Sequence, residues 1–120
     1  MKKLLITLIL ISPFSFADWG DVYYCQETSF AHTGHGGKLN MVELGKFQFK
    51  LDETANAMVF GSGGTLADEI IQLREGGIYP AESWVAENGK DRISFTEGKL
   101  LYTMTGFANA FLMSADCEKF

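Results

Sequence analysis

Two cysteines are the residues whose number and spacing say most about chemistry in this chain. Cys25 and Cys117 are the only ones, and about 90 residues separate them. Zinc and redox sites need cysteines that lie close together in sequence, which this pair does not supply. One cysteine near each end of an exported domain instead favours a structural disulfide. We therefore predict that Cys25 and Cys117 are bonded and that the first strand lies beside the last.

Two histidines form the second candidate site. His32 and His35 are the only histidines, three positions apart in the glycine-rich segment 31–37, which is predicted to be a loop. They could bind a metal ion together with a carboxylate such as Glu27, or they could belong to a solvated loop tip. Two ligands do not define a specific metal site, and fixing a glycine-rich loop costs entropy. We therefore predict no metal and no cofactor.

A glycine-rich stretch, Gly61-Ser62-Gly63-Gly64-Thr65, invites comparison with catalytic and phosphate-binding loops. A nucleophile elbow needs glycine two positions before and after its serine, and Phe60 occupies the first of these positions. A Walker loop needs a following Gly-Lys-Ser or Gly-Lys-Thr, which does not occur here. The stretch is predicted to be a plain loop, with an anion-binding nest as the alternative.

Carboxylates are plentiful, but they show no recognisable catalytic spacing. Glu82 is unusual because the predicted register places it on an apolar face opposite Phe95. A buried carboxylate there could be functional; if the strand begins after Glu82, the side chain lies at the solvent edge. We predict that the protein is not an enzyme.

The amino-terminal segment has the features of a secretory signal peptide. Two lysines precede an apolar run over residues 4–11, a proline follows, and small residues precede a cleavage site predicted after Ala17. A transmembrane helix needs roughly 20 apolar residues, and this run is much shorter. We predict a signal peptide over residues 1–17 and a single domain over residues 18–120, periplasmic or secreted, with no membrane insertion after cleavage.

Net charge excludes several classes of partner. The chain carries 10 basic and 15 acidic side chains, a net charge of −5, and without the two lysines of the signal peptide the net charge is −7. The basic residues are scattered, so binding to nucleic acid or to anionic membranes is not expected. The 103 residues left after cleavage allow one domain with a modest core, and we expect a monomer.

Residues 91–117 are predicted to form three antiparallel strands. Apolar and polar residues alternate around two turns, Thr96-Glu97-Gly98-Lys99 and Gly106-Phe107-Ala108-Asn109, as in strands with one buried face. The register that these turns imply pairs Phe95 with Leu100, Ile93 with Tyr102, Tyr102 with Met113, Leu100 with Ala115, and Met104 with Phe111.

Another hairpin is predicted at Asn88-Gly89, the strongest two-residue turn signal in the chain. It would place Trp84 opposite Ile93 and Glu87 opposite Lys90. The predicted turns agree on one apolar face, made of Trp84, Ile93, Phe95, Leu100, Tyr102, Met104, Phe111, Met113 and Cys117. Agreement between separate turn predictions is expected of a real fold.

The first half of the chain adds further short strands. Alternation predicts strands over residues 21–30, 46–52 and 57–61, and favours a strand over a helical turn for residues 38–44. Residues 66–74 form either a short capped helix or a strand over 69–74. The whole pattern predicts an all-β antiparallel meander of about seven to nine strands that closes into a small barrel or sandwich. The disulfide favours the barrel, because it joins the terminal strands and removes two edges.

Two resemblances rest on the ends of the chain. Asp21-Val22-Tyr23-Tyr24-Cys25 and Ala115-Asp116-Cys117-Glu118-Lys119-Phe120 resemble the ends of short exported bacterial and phage proteins without assigned activity. More distantly, Tyr23 and Cys25, a later strand with Trp84, and Cys117 are similar to the membrane-bound inhibitors of c-type lysozyme. That family implies a small β-barrel with a comparable disulfide and an inhibitory Ser-Gly-x-x-Tyr loop. The nearest segment here, Ser62-Gly63-Gly64-Thr65, lacks the tyrosine.

Two hypotheses for function follow from the two faces of the sheet. The first is a small exported protein-binding module, an inhibitor or an envelope-interaction factor, with an unknown protein partner. Its surface would consist of the apolar residues expected on the polar face or its turns, namely Val85, Leu101, Phe107 and Leu112. The alternative is a lipocalin-like carrier of small apolar ligands. Its lumen would be lined by Trp84, Phe95, Tyr102 and Met113.

Overall fold

A computed structural model describes residues 17–34, 36–74 and 83–120. Within these ranges the protein has no helix and nine strands. They are β1 (Val22–Thr33), β2 (Leu39–Met41), β3 (Lys46–Asp52), β4 (Ala57–Phe60), β5 (Ile70–Gln72), β6 (Trp84–Asn88), β7 (Asp91–Thr96), β8 (Lys99–Thr105) and β9 (Ala110–Lys119). The predicted signal peptide, His35 and Glu82 lie outside the described residues, apart from Ala17.

The strands form one antiparallel sheet that is nearly closed into a barrel. Its order is β5-β4-β3-β1-β9-β8-β7-β6, and β2 pairs with β1 beside this path. A bridge between Leu73 and Ala86 joins the end of β5 to β6 and so brings the two edges of the sheet together. The all-β antiparallel prediction is confirmed, and of its two forms the sheet takes the barrel-like one.

Alternating side chains explain why one sheet can enclose a core. In β3, Phe47, Phe49 and Leu51 are buried, while Lys46, Gln48 and Lys50 are exposed. The same alternation in β7, β8 and β9 buries Ile93, Phe95, Leu100, Tyr102, Met113 and Ala115. Burying one face of each strand removes its apolar side chains from water, which is the main favourable contribution to folding.

Two of the predicted hairpins have the predicted register. Phe95 lies opposite Leu100, and Tyr102 lies between Ile93 and Met113. Glu97 and Gly98 both have positive φ, 50° and 79°, which is the conformation of a type I′ turn. Local turn chemistry thus set these pairings.

The register of the β6–β7 hairpin differs from the prediction. Its two-residue loop is Gly89-Lys90 rather than Asn88-Gly89, so Trp84 lies opposite Phe95 and Glu87 opposite Arg92. Gly89 has a φ of 67° at the first central position, as a type II′ turn requires. The loop lies one residue later than predicted, so the residue opposite each position of β6 changes by two. Because side chains alternate between faces with a period of two, Trp84 stays on the predicted apolar face.

The remaining boundaries were predicted in part. β1 continues to Thr33, into the segment predicted as a loop, because β9 and β2 pair with it there. The strand predicted within residues 38–44 is confirmed over Leu39–Met41. The helical alternative for residues 66–74 is wrong: Asp68 has a φ of 61°, which a right-handed helix does not allow, and β5 follows.

The disulfide is confirmed. Cys25 of β1 lies directly opposite Cys117 of β9, with a Cα–Cα distance of 4.0 Å and a bond between the two sulfur atoms. The bond therefore holds the first and last strands together in the middle of the sheet. A disulfide of this kind is typical of proteins that fold in an oxidising compartment outside the cytoplasm.

Two buried tyrosines should make stability depend on pH. Burial, the larger cause, and the negative charge of Asp21 together raise the pKa of Tyr23 to about 12. Burial, and then a hydrogen bond to Asp91, raise the pKa of Tyr102. An unfolded tyrosine ionises near pH 10, so above that pH the unfolded state loses protons that the folded state keeps. The free energy of unfolding should be unaffected by these groups below about pH 10. Above that pH it should fall by about 1.4 kcal/mol per pH unit for each tyrosine, until the pH reaches the raised pKa of that tyrosine in the folded protein.

Urea denaturation at about pH 9 and about pH 11 measures this effect. Tyr23→Phe should reduce the alkaline loss, because phenylalanine keeps the ring contacts with Phe49 and Phe95 but has no proton to lose. Tyr24→Phe is the matched control, since Tyr24 is 46% exposed. An alkaline loss that is the same in Tyr23→Phe as in the unaltered protein would contradict the argument.

Candidate protein-binding surface

Three of the four predicted interface residues are exposed. Leu101 of β8 is 45% exposed, Leu112 of β9 is 51% exposed, and Phe107 is fully exposed in the β8–β9 turn. The prediction for Val85 is wrong, because this side chain is only 9% exposed. The chain that leaves β5 runs beside β6 here, where the Arg74 amide donates a 2.7 Å hydrogen bond to the Val85 carbonyl oxygen.

Two further exposed residues of β2 were missed by the sequence prediction. Leu39 is 63% exposed and Met41 is 71% exposed. In the sheet, Met41 lies opposite Ala31, which lies opposite Leu112 on its other side. Strand pairing therefore brings β2 onto the same outer surface as Leu112. Their exposure is the feature that identifies Leu39 and Met41 as surface residues. A sequence does not show exposure, so no local signal could have found them.

Together these strands form a surface without charge, which we call the uncharged face. Cross-strand pairing and the alternation of buried residues define its members. They are Ser29, Ala31, Thr33, Leu39, Met41, Leu101, Thr103, Thr105, Ala110, Leu112 and Ser114. In a chain with 25 charged side chains, none of these 11 positions is charged.

Charged residues occur at the borders of the uncharged face. Lys99 and Asp116 form an ion pair of 2.6 Å at one end, and Arg92 pairs with Glu87 beyond β8. Such exposed pairs contribute little to stability, but they keep these parts of the surface hydrated. On the uncharged face, by contrast, the only polar side-chain groups are hydroxyls. The hydroxyl oxygens of Ser29 and Ser114, for example, are 2.6 Å apart.

An open groove lies at the end of the barrel next to the uncharged face. Its volume is about 910 Å³, and its lining consists of His32, Gly34, Lys90 and residues 105–109. The His32 ring stacks on Phe111 with the ring centres 4.5 Å apart. Thr105 belongs both to the uncharged face and to the lining of the groove, so the two are continuous, and the fully exposed Phe107 also lines the groove.

The proposed partner of His32 in a metal site lies elsewhere. Glu27 is buried, and its Oε1 atom accepts a 2.7 Å hydrogen bond from the Gly45 amide. The carboxylate therefore holds the segment that leads into β3. Among the described residues, no three His, Cys, Asp or Glu side chains are close enough to share a metal ion.

The residues of the predicted lumen are buried in the core. Trp84, Phe95, Tyr102 and Met113 are each 5% exposed or less. The ring of Phe95 contacts Tyr23 and Phe49 with ring centres 4.7 and 5.1 Å apart. Protein side chains thus occupy this layer of the barrel, and a ligand-lining role for the four residues stays a prediction.

Among the described residues, one buried side-chain polar atom lacks a hydrogen-bond partner, whereas the buried Tyr102 hydroxyl has one. The Tyr102 hydroxyl donates a 2.7 Å hydrogen bond to Asp91. The indole nitrogen of Trp84 is buried and has no hydrogen-bond partner, and the ring packs edge-on against Trp19. An unpaired buried donor of this kind costs about 1–3 kcal/mol.

The glycine-rich loop has a local packing role. Gly64 has a φ of 83°, and a Cβ atom there would lie 2.9 Å from the Cβ of Phe47. The Gly61 carbonyl oxygen accepts a 2.8 Å hydrogen bond from the Asp68 amide. Glycine at position 64 therefore lets this turn pack closely on β3.

No helix within residues 17–34, 36–74 and 83–120 has the length and apolar character to span a bilayer. Comparison with protein-family models, with curated proteins and with solved structures gave no match.

Proposed function

We propose that this protein is an exported protein-binding module whose partner docks on the uncharged face. The observation that carries the proposal is the exposure of Leu39, Met41, Leu101 and Leu112, between 45% and 71% each, on a surface without charge. The centres of protein interfaces are depleted of charged residues. Contiguous apolar surface with a polar border marks interaction sites.

Physical considerations favour binding of a protein over binding of a small molecule on this surface. The sheet is convex there and its apolar side chains are spread over four strands, whereas sites for small molecules are concave. Covering the four half-exposed side chains would contribute about 1 kcal/mol or more for each. A protein surface can cover all four at once, and the proposal involves no catalytic step.

Export to an oxidising compartment belongs to the same proposal. The disulfide supports it, because such bonds persist outside the cytoplasm. The proposed route is the predicted signal peptide of residues 1–17, which leaves a periplasmic or secreted product. A partner should therefore be sought in the cell envelope or outside the cell.

Site-specific photo-crosslinking in intact cells tests the proposal. The photoreactive amino acid p-benzoylphenylalanine would replace Leu112 of the uncharged face or, as a control, Lys50, which is exposed on β3. We expect a discrete adduct of higher mass from position 112 and none from position 50. The absence of an adduct from position 112, or the same adducts from both positions, would overturn the proposal.

The leucines of the uncharged face should matter little for stability. Leu101→Ser and Leu112→Ser should each change the free energy of unfolding by less than about 0.5 kcal/mol, because surface substitutions remove few contacts. Leu100→Ser is the matched control: Leu100 is 1% exposed, and its replacement should cost about 2–5 kcal/mol. Thermal denaturation measures all three. A large loss in Leu101→Ser or Leu112→Ser would show that these residues serve the fold rather than a partner.

A further inference from the structure

The outer edge of β2 has no neighbouring strand in the described part of the chain. β2 pairs with β1 through Ala31–Met41, His32–Asn40 and Thr33–Leu39. β3 pairs with β1 on the same side as β2 but farther along the strand, beginning at Lys46, and β4 pairs with β3 only over residues 49–52. β4 therefore does not reach β2, and one side of the β2 backbone faces outward.

The direction of the free backbone groups follows from one hydrogen bond. The Val42 amide donates a 2.9 Å hydrogen bond to the Phe30 carbonyl oxygen of β1. Backbone groups of successive residues in an antiparallel strand point to alternate sides. Asn40 therefore also bonds toward β1, and the amide and carbonyl groups of Leu39 and Met41 point to the free edge.

The short length of β2, three residues, is the one feature of this strand that limits pairing with another chain. Exposed edges are usually blocked by a lysine, a proline or a bulge within the strand, and β2 has the sequence Leu-Asn-Met. The side chains of Leu39 and Met41 are also among the most exposed apolar groups of the described chain. Both the backbone and the side chains of β2 are thus available to an added strand.

We propose that an extended segment of a positively charged partner protein adds to β2 as a further strand. This inference rests on the proposed function and names the partner's binding element. An added strand would place alternate side chains beside Leu39 and Met41, so the segment should carry apolar residues at every second position. It would also widen the uncharged face by one strand.

Charge favours a basic partner over a second copy of this chain. Residues 18–120 carry a net charge of −7, so two copies repel each other and a basic protein is attracted. Strand addition of this kind obtains affinity from main-chain hydrogen bonds and specificity from alternate side chains. The partner is thus expected to be basic, with an alternating apolar segment.

Amide hydrogen exchange measured by NMR on the oxidised domain tests the proposal. The probe is a ten-residue peptide of alternating valine and lysine with blocked ends. At about nine-tenths saturation, exchange of the Leu39 and Met41 amides should slow by about tenfold. The Asn40 amide, already bonded to β1, is the internal control and should change little. Unchanged exchange of Leu39 and Met41 at saturating peptide would overturn the proposal.

Two controls separate strand addition from other kinds of binding. The same peptide N-methylated on every residue lacks the main-chain donors of both edges, and it should give no protection; equal protection would contradict strand addition. Met41→Pro removes an amide that points to the free edge and leaves the bonds to β1 in place. This variant should lose peptide binding. Exchange of the Leu39 and Met41 amides could instead be slow without peptide and become slower as the protein concentration rises. That result would show that a second copy of the chain occupies β2, and it would overturn the proposal.

The test distinguishes this proposal from the proposed function. The peptide experiment reports only on the edge of β2, whereas crosslinking from position 112 reports on the uncharged face. An adduct from position 112 without protection of Leu39 and Met41 would retain the function and reject strand addition. The lack of any adduct would reject the function itself.

Discussion

Replacing both Cys25 and Cys117 with alanine should lower the free energy of unfolding by about 2–5 kcal/mol. The bond joins residues 92 positions apart, so its loss gives the unfolded chain much more conformational freedom. For a domain of this size the change corresponds to a fall in melting temperature of more than about 10 °C. Urea denaturation of the unaltered and the double-alanine protein measures the effect.

Reduction of the unaltered protein provides an independent check of the disulfide. Dithiothreitol should lower its stability to near that of the double-alanine variant, and it should not affect the variant. A loss smaller than about 1 kcal/mol in the variant would contradict the argument. It would mean that β1 and β9 hold the terminal strands together without the bond.

Phe95→Ala should lower the free energy of unfolding by about 3–5 kcal/mol. Phe95 is 1% exposed and its ring contacts Tyr23 of β1 and Phe49 of β3, which lie across the barrel from β7. Alanine would leave a cavity where strands from both halves of the chain meet, and such cavities add to the loss of buried apolar area. Chemical denaturation measures the change.

Phe107→Ala is the matched control for this substitution. It removes the same atoms, but Phe107 is fully exposed in the β8–β9 turn, so stability should change by less than about 0.5 kcal/mol. Equal losses in Phe95→Ala and Phe107→Ala would contradict the assignment of Phe95 to the core. If the groove beside Phe107 takes part in partner binding, the crosslinked adduct from position 112 should weaken in this variant.

Several features of the fold could be predicted because they depend on neighbouring residues. Alternation in residues 46–52 and 91–117 marked the strands and their buried faces. Glu97-Gly98 set the β7–β8 register because a two-residue loop fixes which residues are opposite each other. The β6–β7 loop was displaced by one residue because Asn88-Gly89 and Gly89-Lys90 are both possible turns, and only the complete sheet distinguishes them.

The candidate binding surface was predicted less completely. Leu101, Leu112 and Phe107 were identified because they are apolar residues at polar positions of strands or turns. Val85 was misassigned because it is buried in the folded chain, and burial by segments distant in sequence does not appear in a local pattern. Leu39 and Met41 were missed for the same reason, since their position beside Leu112 depends on β1 lying between β2 and β9.

The sequence by itself determined the all-β class, the buried faces of the strands and the pairing of Cys25 with Cys117. These follow from period-two alternation, from turn residues with special backbone conformations, and from the presence of only two cysteines. Only the tertiary structure decided how the sheet closes at Leu73 and Ala86 and how 11 uncharged residues from four strands form one surface. It also decided which edge has no neighbouring strand among the described residues. Those features arise from strand order, which depends on contacts between residues far apart in the chain.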